Sequence, residues 1–473
     1  MPDKGIDMIE QLQRIVGAGQ VLTGADTARW ASDWTGVYQN NPLAVVRPAN
    51  RDEVAAIVKL AYETGTAIVP VSGNTGLAGG TKADGAILLS LDRMNKIRDL
   101  RPDARIVVAE AGVILSDIHQ QAAQHGLSFP LTFGAKGSAM VGGFLSTNAG
   151  GSNVVRYGNT RDLCLGLEVV TPTGEIMDIL AELHKNNSGY DLRHLMIGAE
   201  GTLGIITAAV LKLVQTPRAF ATAMVAVQSV SQALDLLNRL QAATGGMVEA
   251  FEYMPASYMR AHAAKFPDAR RPFDETYDVS VMVEIGSTVP RDCTPGDDGT
   301  VPLTAALEDA LADLFEQGAV IDAQVAQNDA QRAEMWERRE AAAEVVLTRK
   351  PLVNNDVAVP LDKVQDFIEQ ADMRVHALDA EAETVSVAHL GDGNVHYTVW
   401  PSTDDAAAKD AIMEAVEDVT LSLGGSFSAE HGIGISKLSS MQRRKNLVAL
   451  NMMRAIKAAI DPKGIMNPGK LLP

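Results

Sequence analysis

Cysteine is nearly absent from this chain of 473 residues, which contains only Cys164 and Cys293. The two lie far apart and in no motif, so the sequence implies no disulfide framework and fits a reducing compartment. No run of roughly 18 or more apolar residues occurs, so we expect no transmembrane helix. The N-terminus lacks a basic start followed by an apolar core, so we expect no secretory signal and a cytoplasmic protein.

Positive charge is also scarce, with 41 lysines and arginines against 59 aspartates and glutamates and a formal net charge of −18. An acidic surface repels nucleic acid and anionic membranes, so we expect neither as a partner. An anionic substrate must therefore be held by a local group of cations or by a metal. The length of the chain exceeds what one hydrophobic core serves and predicts two or three domains.

Two common nucleotide motifs are missing as well. No Gly-x-Gly-x-x-Gly follows an early strand and no Gly-x-x-x-x-Gly-Lys-Ser/Thr occurs, so NAD and ATP are disfavoured. Glycine is instead dense in two loops, 70–80 and 134–151, and the first follows an apolar strand at 67–71. Because glycine lets backbone N–H groups approach a ligand and form an anion-binding nest, the two loops predict a long dinucleotide.

The apolar pattern divides the chain into segments. Residues 1–40 are predicted as an N-terminal helical extension, with a short helix near 11–20, and residues 41–216 alternate strands and helices as two α/β units. The character changes at Pro217, and residues 217–424 are predicted as a separate α+β domain, followed by a final segment, 425–473. The longer predicted helices span 51–64, 231–243, 304–316, 329–347, 361–377 and 440–460.

A segment from His389 to His396 indicates a metal site. It contains Asp392-Gly393, a strong signal for a hairpin with a two-residue turn. With that turn His389 faces His396, with Cβ atoms about 4.5–5.5 Å apart, close enough for both rings to bind one ion. The alternative is that the two histidines are unrelated surface residues near a turn.

A second segment, Glu430-His431-Gly432, adds a carboxylate and a further imidazole. Two histidines and Glu430 leave one coordination position open, which is typical of a catalytic metal. His431 then lies beside the metal as a base, since a histidine has a pKa near neutrality.

These motifs and four others carry a family resemblance. The others are Asn187–Leu192, Gly198–Thr207, Glu249–Glu252 and Asn467–Lys470. From about residue 30 to its end, the chain resembles the vanillyl-alcohol-oxidase type of flavoprotein, and within it the D-2-hydroxyglutarate dehydrogenase branch, with D-lactate dehydrogenases and glycolate oxidase flavin subunits as relatives. The resemblance implies an α+β fold with a two-subdomain FAD-binding domain, an α+β substrate (cap) domain and a C-terminal segment that returns to the flavin.

The resemblance also implies the cofactors. These are FAD, bound without a covalent link, and zinc or another divalent metal such as manganese, iron or cobalt. The first glycine-rich loop would hold the pyrophosphate, and Asn467 would contact the flavin ring. The cofactor residues that match by motif are Ser72, Gly73, Asn74, Thr75, Gly76, Gly79, Gly80, Gly134, Ala135, Ser138, Gly142, Gly143, Thr147, Asn148, Gly201, Ile205 and Asn467.

The implied reaction is oxidation of a D-2-hydroxy acid, of the D-2-hydroxyglutarate, D-lactate or D-malate class, to the 2-oxo acid. Hydride would leave C2 for flavin N5. His389, His396 and Glu430 match the family's metal ligands, and His431 matches the base that takes the hydroxyl proton. A metal that chelates the substrate hydroxyl and carboxylate together would also fix which face meets the flavin.

A tryptophan and an arginine three residues apart, Trp336-x-x-Arg339, match the family's carboxylate-binding arginine. Arginine suits this role because its planar fork binds a carboxylate through two hydrogen bonds. The alternative is an exposed helical charge paired with Glu334 or Glu340. Of the two neighbouring arginines, we expect Arg338 rather than Arg339 to be merely solvated.

Three positions depart from the pattern of the hydroxyglutarate branch. Asn354 replaces a lysine, Ala343 a threonine and Thr398 an asparagine, and in the family these positions hold the distal carboxylate of the substrate. Loss of the lysine removes a charged contact, so preference for a five-carbon diacid does not follow. Arg349 and Lys350 lie upstream as candidates for the missing charge.

We expect the partners to be a small anionic 2-hydroxy acid and an electron acceptor such as an electron-transfer flavoprotein or a quinone, and the resemblance suggests a homodimer. Two other readings stay open. One is a flavin oxidase that reduces oxygen, and the other is a flavin subunit of a glycolate-oxidase-like complex that is inactive alone. A pure binding protein would not need a metal, a base and a flavin at one place.

Overall fold

The structure of the protein is a computed structural model that describes residues 4–297 and 299–473. Residues 1–3 of the predicted N-terminal extension lie outside the described residues. The first helix spans Lys4–Val16, so the prediction of a helix near 11–20 placed it too far along the chain. Within the described part of the chain, no helix is both long and apolar enough to cross a membrane.

The chain folds into two compact units. Unit 1 contains the chain up to Gly150, then Asn159–Gln215 and Glu430–Pro473, and unit 2 contains Gly151–Gly158 and Thr216–Ala429. The main division lies beside Pro217. The short segment 151–158 belongs to unit 2, although the sequence pattern grouped it with the residues around it.

Unit 1 is built on two main sheets. Its strands are β1 (Val21–Leu22), β2 (Ala44–Val46), β3 (Ile68–Val71), β4 (Ile87–Ser90), β5 (Ile97–Arg101), β6 (Ile106–Glu110), β7 (Leu127–Ser128), β8 (Cys164–Val170), β9 (Ile176–Ile179), β10 (Ile205–Lys212) and β11 (Val214–Gln215). The first sheet has four strands in the order β1-β2-β4-β3, and the second has five in the order β5-β6-β10-β8-β9. Pairing is antiparallel throughout the second sheet.

Strands β2, β4 and β3 pair in parallel, so crossover connections must join them. The helix Arg51–Thr64 joins β2 to β3; the Asn50 side chain caps it by accepting from the amide of Glu53, and Gly65 ends it with a left-handed φ of 70°. The helices of unit 1, including two 3₁₀ turns at 18–20 and 24–30, are Lys4–Val16, Ala18–Gln20, Gly24–Trp30, Arg51–Thr64, Leu115–Ala123, Val141–Ser146, Thr160–Leu163, Leu192–Met196, Leu438–Arg444 and Leu447–Ile460.

Unit 2 is built on one antiparallel sheet of seven strands in the order β15-β12-β14-β13-β17-β18-β16. The strands are β12 (Ala219–Val227), β13 (Val248–Pro255), β14 (Val279–Ser287), β15 (Asp322–Val325), β16 (Val353–Ala358), β17 (Glu383–His389) and β18 (Asn394–Trp400). The helices, including a 3₁₀ turn at 361–363, are Val154–Tyr157, Val230–Thr244, Ala256–Lys265, Pro290–Cys293, Pro302–Glu316, Asp329–Glu340, Ala342–Val346, Leu361–Lys363, Val364–Leu378 and Ala406–Ser422.

The two faces of this sheet differ in chemistry because side chains alternate along each strand. One face is apolar and buries residues such as Phe251, Val283 and Tyr397 in the main core of the unit. Four long helices, Val230–Thr244, Pro302–Glu316, Val364–Leu378 and Ala406–Ser422, contribute to that core. The opposite face carries buried carboxylates and histidines, and it holds the candidate site.

Two predicted helices are interrupted. The helix expected over 329–347 stops at Ala341 and continues as a separate short helix, and the helix expected over 440–460 breaks before Asn446, whose side chain caps the second part by accepting from the amide of Ala449. Strand β13 was not predicted, because Glu249 and Glu252 disturb its apolar pattern. Both carboxylates bind other side chains in the tertiary structure.

Candidate active site

The hairpin that carries the two histidines has a longer turn than predicted. Strand β17 pairs with β18 so that His389 lies opposite Asn394, and Val387 lies opposite His396. Residues 390–393 therefore form the turn. The prediction of a two-residue turn, with His389 directly facing His396, is wrong.

Hydrogen bonding of Asp392 accounts for the longer turn. Its Oδ1 atom accepts from the amide of Asn394 at 3.0 Å, and its own amide donates to the carbonyl of His389 at 3.2 Å. The change moves the register by two residues, and a two-residue shift keeps every side chain on its face. The rings of His389 and His396 accordingly lie on the same face, with centroids 5.4 Å apart.

A buried carboxylate, Glu252, holds two of the predicted site residues. Its Oε1 atom lies 2.9 Å from Nδ1 of His389, and its Oε2 atom accepts from Nε of Arg339 at 2.7 Å. Burial alone would raise the pKa of the Glu252 carboxyl, but His389 and Arg339 outweigh burial and lower it. A carboxylate at Nδ1 favours the tautomer in which Nε2 is the ring nitrogen that can bind a metal.

The second histidine also has a carboxylate beside it. Asp356 lies opposite His396 in the β16–β18 pair, with 3.8 Å between Oδ1 and Nδ1. The Asn394 side chain donates to Asp356 Oδ1 at 3.0 Å and so orients that carboxylate. Two imidazoles with carboxylates around them are a donor set that suits a divalent transition metal.

One helix delivers the arginine. Along Asp329–Glu340, the residues Arg332, Trp336 and Arg339 recur at i, i+4 and i+7 and so share a face. Glu284 on β14 binds the first two, accepting from Arg332 at 2.6 and 2.7 Å and from the Trp336 indole at 2.8 Å. This anchoring places Arg339 over Glu252.

The alternative of an exposed charge at Arg339 is wrong, because the residue is only 7% exposed. Its Nη2 atom is buried and has no acceptor among the described residues. The expectation that Arg338 is solvated is also wrong: that residue is buried, donates to the carbonyl of Arg270, and has its pKa lowered by burial.

The three positions that depart from the family pattern are partly brought together. Asn354 and Thr398 form a cross-strand pair, and the Thr398 hydroxyl donates to Asn354 Oδ1 at 3.1 Å. Asn354 and Ala343 are exposed. Arg349 binds Glu383 at 2.8 Å and lies 4.7 Å from the Trp400 ring centroid, so it already has partners of its own.

Glu430 and His431 begin the last segment of unit 1 directly after Ala429, the end of unit 2. Residues before them follow β16: Ser426 and Ala358 exchange two backbone hydrogen bonds of 2.7 and 2.9 Å, and the Ala429 amide donates to the Asp356 carbonyl at 3.2 Å. The end of unit 2 therefore lies beside Asp356.

The first glycine-rich loop follows β3 in unit 1, and it contains all seven predicted residues between Ser72 and Gly80. Among the described residues, no acceptor binds the amides of 73–77, so these N–H groups are available to an anion. A Cβ on Gly73 would lie 2.2 Å from the Ser138 carbonyl oxygen, so only glycine lets the two loops touch. This cradle of amides fits a pyrophosphate.

The second loop packs on the first. A Cβ on Gly142 would lie 2.9 Å from the Ser72 hydroxyl. The Gly142 amide donates to the Ala111 carbonyl at 2.8 Å. The Asn148 side chain is occupied as well, accepting from the Arg161 amide at 2.9 Å. The remaining predicted residues of this loop, placed around a tight turn and the short helix that follows it, are Gly134, Ala135, Ser138, Gly143 and Thr147.

A buried corner of unit 1 contains the last predicted cofactor residues. The Asn467 side chain donates to the carbonyls of Gly80 and Glu200 at 3.1 and 2.7 Å, whereas its Oδ1 atom is buried without a partner among the described residues. Gly201 has a φ of 71° and abuts Pro70, and Ile205 is buried at the start of β10. These contacts tie the C-terminal tail to the first loop.

Sequence reasoning missed three carboxylates that organise the two regions. Glu252 and Asp356 support the histidines, and Glu200 accepts from the amides of Ile433 and Gly434 at 2.7 and 2.8 Å. Burial raises the pKa of Glu200. The available signal was a charged residue inside an otherwise apolar strand, which applies to Glu252 alone.

Comparisons with known proteins show the family to which this chain belongs. Residues 216–471 match the family of FAD linked oxidases, C-terminal domain, and residues 42–180 match the FAD binding domain family. D-2-hydroxyglutarate dehydrogenase of Xanthomonas citri pv. viticola is 37% identical over 98% of this chain and 96% of its own length. The mitochondrial D-2-hydroxyglutarate dehydrogenase of Bos taurus is 33% identical over 99% of this chain and 84% of its own.

Solved structures share the fold at much lower identity. An alkyldihydroxyacetonephosphate synthase superposes with a TM-score of 0.73 at 19% identity, covering 99% of this chain and 87% of the other. p-Cresol methylhydroxylase superposes with a TM-score of 0.76 at 15% identity, covering 99% and 97%. The predicted fold class is confirmed.

Proposed function

Because this chain belongs to the family of FAD-linked oxidoreductases that includes the D-2-hydroxyglutarate dehydrogenases, we propose that it oxidises a D-2-hydroxy acid to the 2-oxo acid with the help of a divalent metal. The observation that carries the proposal is the carboxylate of Glu252, which binds His389 and Arg339 through its two oxygens. One buried group thus orients a metal ligand and a substrate-binding cation.

FAD, when bound, would supply flavin N5 as the acceptor of the hydride that leaves substrate C2. The amides of the loop 73–77 would hold its pyrophosphate, since they face no protein acceptor among the described residues. The second loop supports the first through the Gly73–Ser138 and Gly142–Ser72 contacts. The assignment of the other predicted loop residues to the cofactor rests on the family relationship.

The metal would be bound by His389, His396 and Glu430. A divalent ion lowers the pKa of a hydroxyl that it binds, which makes an alcohol proton removable near neutrality. The Nδ1 contact of His389 with Glu252 supports its role as an Nε2 ligand. Zinc is our first choice, and manganese, iron or cobalt would suit the same donors.

His431 is proposed as the base that takes the proton of the C2 hydroxyl. It follows Glu430, so a ligand and a base are adjacent in sequence, and an imidazole titrates in the range that a general base needs. Arg339 is proposed to bind the C1 carboxylate. Its buried Nη2 atom, which has no partner among the described residues, is available for that contact.

The far end of the substrate is proposed to meet Asn354 and Thr398. Both are neutral and they hydrogen-bond to each other at 3.1 Å. A pair of neutral side chains favours a small or uncharged substituent over a second carboxylate, so D-lactate stands as a candidate beside the diacids D-malate and D-2-hydroxyglutarate. Reoxidation by an electron-transfer flavoprotein or a quinone, and a homodimeric assembly, are further proposals drawn from the family.

The test is anaerobic bleaching of the flavin absorbance of the purified chain. Both enantiomers of lactate, malate and 2-hydroxyglutarate, and glycolate, are each added with and without a chelator. Rapid bleaching by a D-acid that is abolished by the chelator is expected. Bleaching that the chelator does not change would contradict the proposed role of the metal. No bleaching by any acid would favour a subunit of a larger complex, and steady peroxide formation in air would favour an oxidase.

A further inference from the structure

A short segment, Gly151–Gly158, belongs to unit 2 although its neighbours on both sides in the chain belong to unit 1. We call it the strap. It contains one helical turn, Val154–Tyr157, and directly follows the second glycine-rich loop. Two sets of contacts within unit 2 account for its membership of that unit.

The first set anchors the strap to Glu249. Asn153, Arg156 and Tyr157 lie on one side of the turn and bind its carboxylate at 3.3, 2.5 and 2.9 Å. Glu249 is 3% exposed and is the extra residue of a β-bulge in β13, between Val248 and Ala250. A bulge re-aims a side chain. Burial raises the pKa of Glu249, while Arg156 acts in the opposite direction.

The second set joins the strap to the histidine hairpin. Val155 projects from the other side of the turn and lies against Gly391, in the loop between His389 and His396. A Cβ on Gly391 would lie 2.6 Å from Val155 Cγ2 and 2.7 Å from its Cβ. The φ of Gly391 is not in the left-handed region, so this contact, not backbone conformation, requires glycine there.

We infer that the strap is a positioning element for the metal-binding hairpin, with Val155 as its contact and Glu249 as its anchor. Strand β13 then secures the hairpin at two points: Glu252 binds the ring of His389, and Glu249 holds the strap against the loop. A hairpin loop on its own is mobile, whereas metal ligands must be held within fractions of an ångström. The inference rests on the proposed metal role of His389 and His396.

The test removes the side chain at position 155 and adds a methyl group at position 391. Val155→Gly, Gly391→Ala and the double variant are prepared as full-length flavoprotein, with Val301→Gly as control because Val301 is a half-buried valine elsewhere in unit 2. Zinc affinity is measured by competition with a chromogenic chelator. We expect each single variant to weaken zinc binding roughly tenfold, as loss of a supporting contact does. The double variant should recover most of the loss, and the control should match the wild type.

Hydrogen exchange of the amides of residues 390–396 in metal-free protein is the second readout. We expect faster exchange in each single variant than in the wild type, and slower exchange in the double variant than in either single variant. If the wild type binds no zinc but this exchange pattern holds, the metal part of the proposed function fails and the positioning role stands. Unchanged exchange in the single variants, or losses that simply add in the double variant, overturns the inference.

Discussion

The Oε1 atom of Glu252 and the Nδ1 atom of His389 lie 2.9 Å apart inside the seven-stranded sheet of unit 2. Their strands pair directly, with Glu252 opposite His389 in the register of β13 and β17. The second oxygen of the same carboxylate binds Arg339 at 2.7 Å. Removing the charge of this carboxylate should therefore disturb both the proposed metal ligand His389 and the proposed substrate-binding group Arg339.

Replacing Glu252 by glutamine tests the first of these effects. We expect zinc affinity to fall about 10–100-fold, because the amide fixes neither the tautomer nor the basicity of His389 as a carboxylate does. Chelator competition measures it. Glu284→Gln is the matched control, since Glu284 is a buried carboxylate on the same face that binds Arg332 and Trp336 instead. Equal losses in both variants would contradict a specific role for Glu252.

The Arg339→Lys variant tests recognition of the substrate carboxylate. Lysine keeps the charge but loses the planar fork, so we expect KM for the preferred 2-hydroxy acid to rise about tenfold or more. Steady-state kinetics with an artificial acceptor measure this change. Arg349→Lys, at an arginine paired with Glu383, should leave KM unchanged. A KM that stays constant in Arg339→Lys would remove the residue from substrate binding.

The Asn354→Lys variant tests the far end of the substrate. A lysine would place a cation beside Thr398, and we expect kcat/KM for D-2-hydroxyglutarate to rise about tenfold relative to D-lactate, as a charged hydrogen bond contributes. The ratio of the two kcat/KM values is the measurement. Gln327→Lys adds the same charge at another exposed position of unit 2 and should leave the ratio unchanged. An unchanged ratio in Asn354→Lys would refute this account of specificity.

The Gly73→Ala variant tests the phosphate cradle. The added Cβ would lie 2.2 Å from the Ser138 carbonyl oxygen, so the two loops must separate, and we expect the purified protein to retain less than about a tenth of its FAD. The ratio of flavin to protein absorbance measures retention. Gly137→Ala, where nothing lies within 4 Å of an added Cβ, is the control. Full FAD retention in Gly73→Ala would mean that the loop contact is dispensable.

The pH dependence of stability can be tested at His262, which is buried. Burial lowers the pKa of its imidazole to about 4, and the positive charge of Arg338 acts in the same direction. The unfolded chain, with a histidine pKa of about 6.5, binds more protons between the two values. Stability from this group is thus complete above about pH 6.5 and is lost as pH falls toward 4.

We expect the His262→Leu variant to lose less stability than the wild type between pH 7 and pH 5, by about 2 kcal/mol. Urea unfolding of unit 2, followed at both pH values by hydrogen exchange, provides the comparison. His376→Leu, at an exposed position, should behave as the wild type. Equal pH dependence in the wild type and His262→Leu would show that His262 is protonated as easily in the folded protein as in the unfolded chain.

Much of the fold was predictable because its signals are local. The helix at 51–64 and the strand at 68–71 appear where their apolar patterns predicted them. Local signals failed where a tertiary contact changed the outcome. The hairpin turn is longer because Asp392 binds the amide of Asn394, and Arg338 is buried because unit 2 offers it the carbonyl of Arg270.

The sequence by itself determined the membership of the family, the two glycine-rich loops and the residue types of the candidate site, since each depends on short motifs. Only the tertiary structure decided how those residues are supported. Glu252 lies 137 positions from His389 in the chain. Val155, which contacts Gly391, belongs to a segment of unit 2 whose neighbours on both sides in the chain belong to unit 1. Such contacts depend on the order and register of the strands. Pairing between distant segments determines both, and no local sequence pattern encodes them.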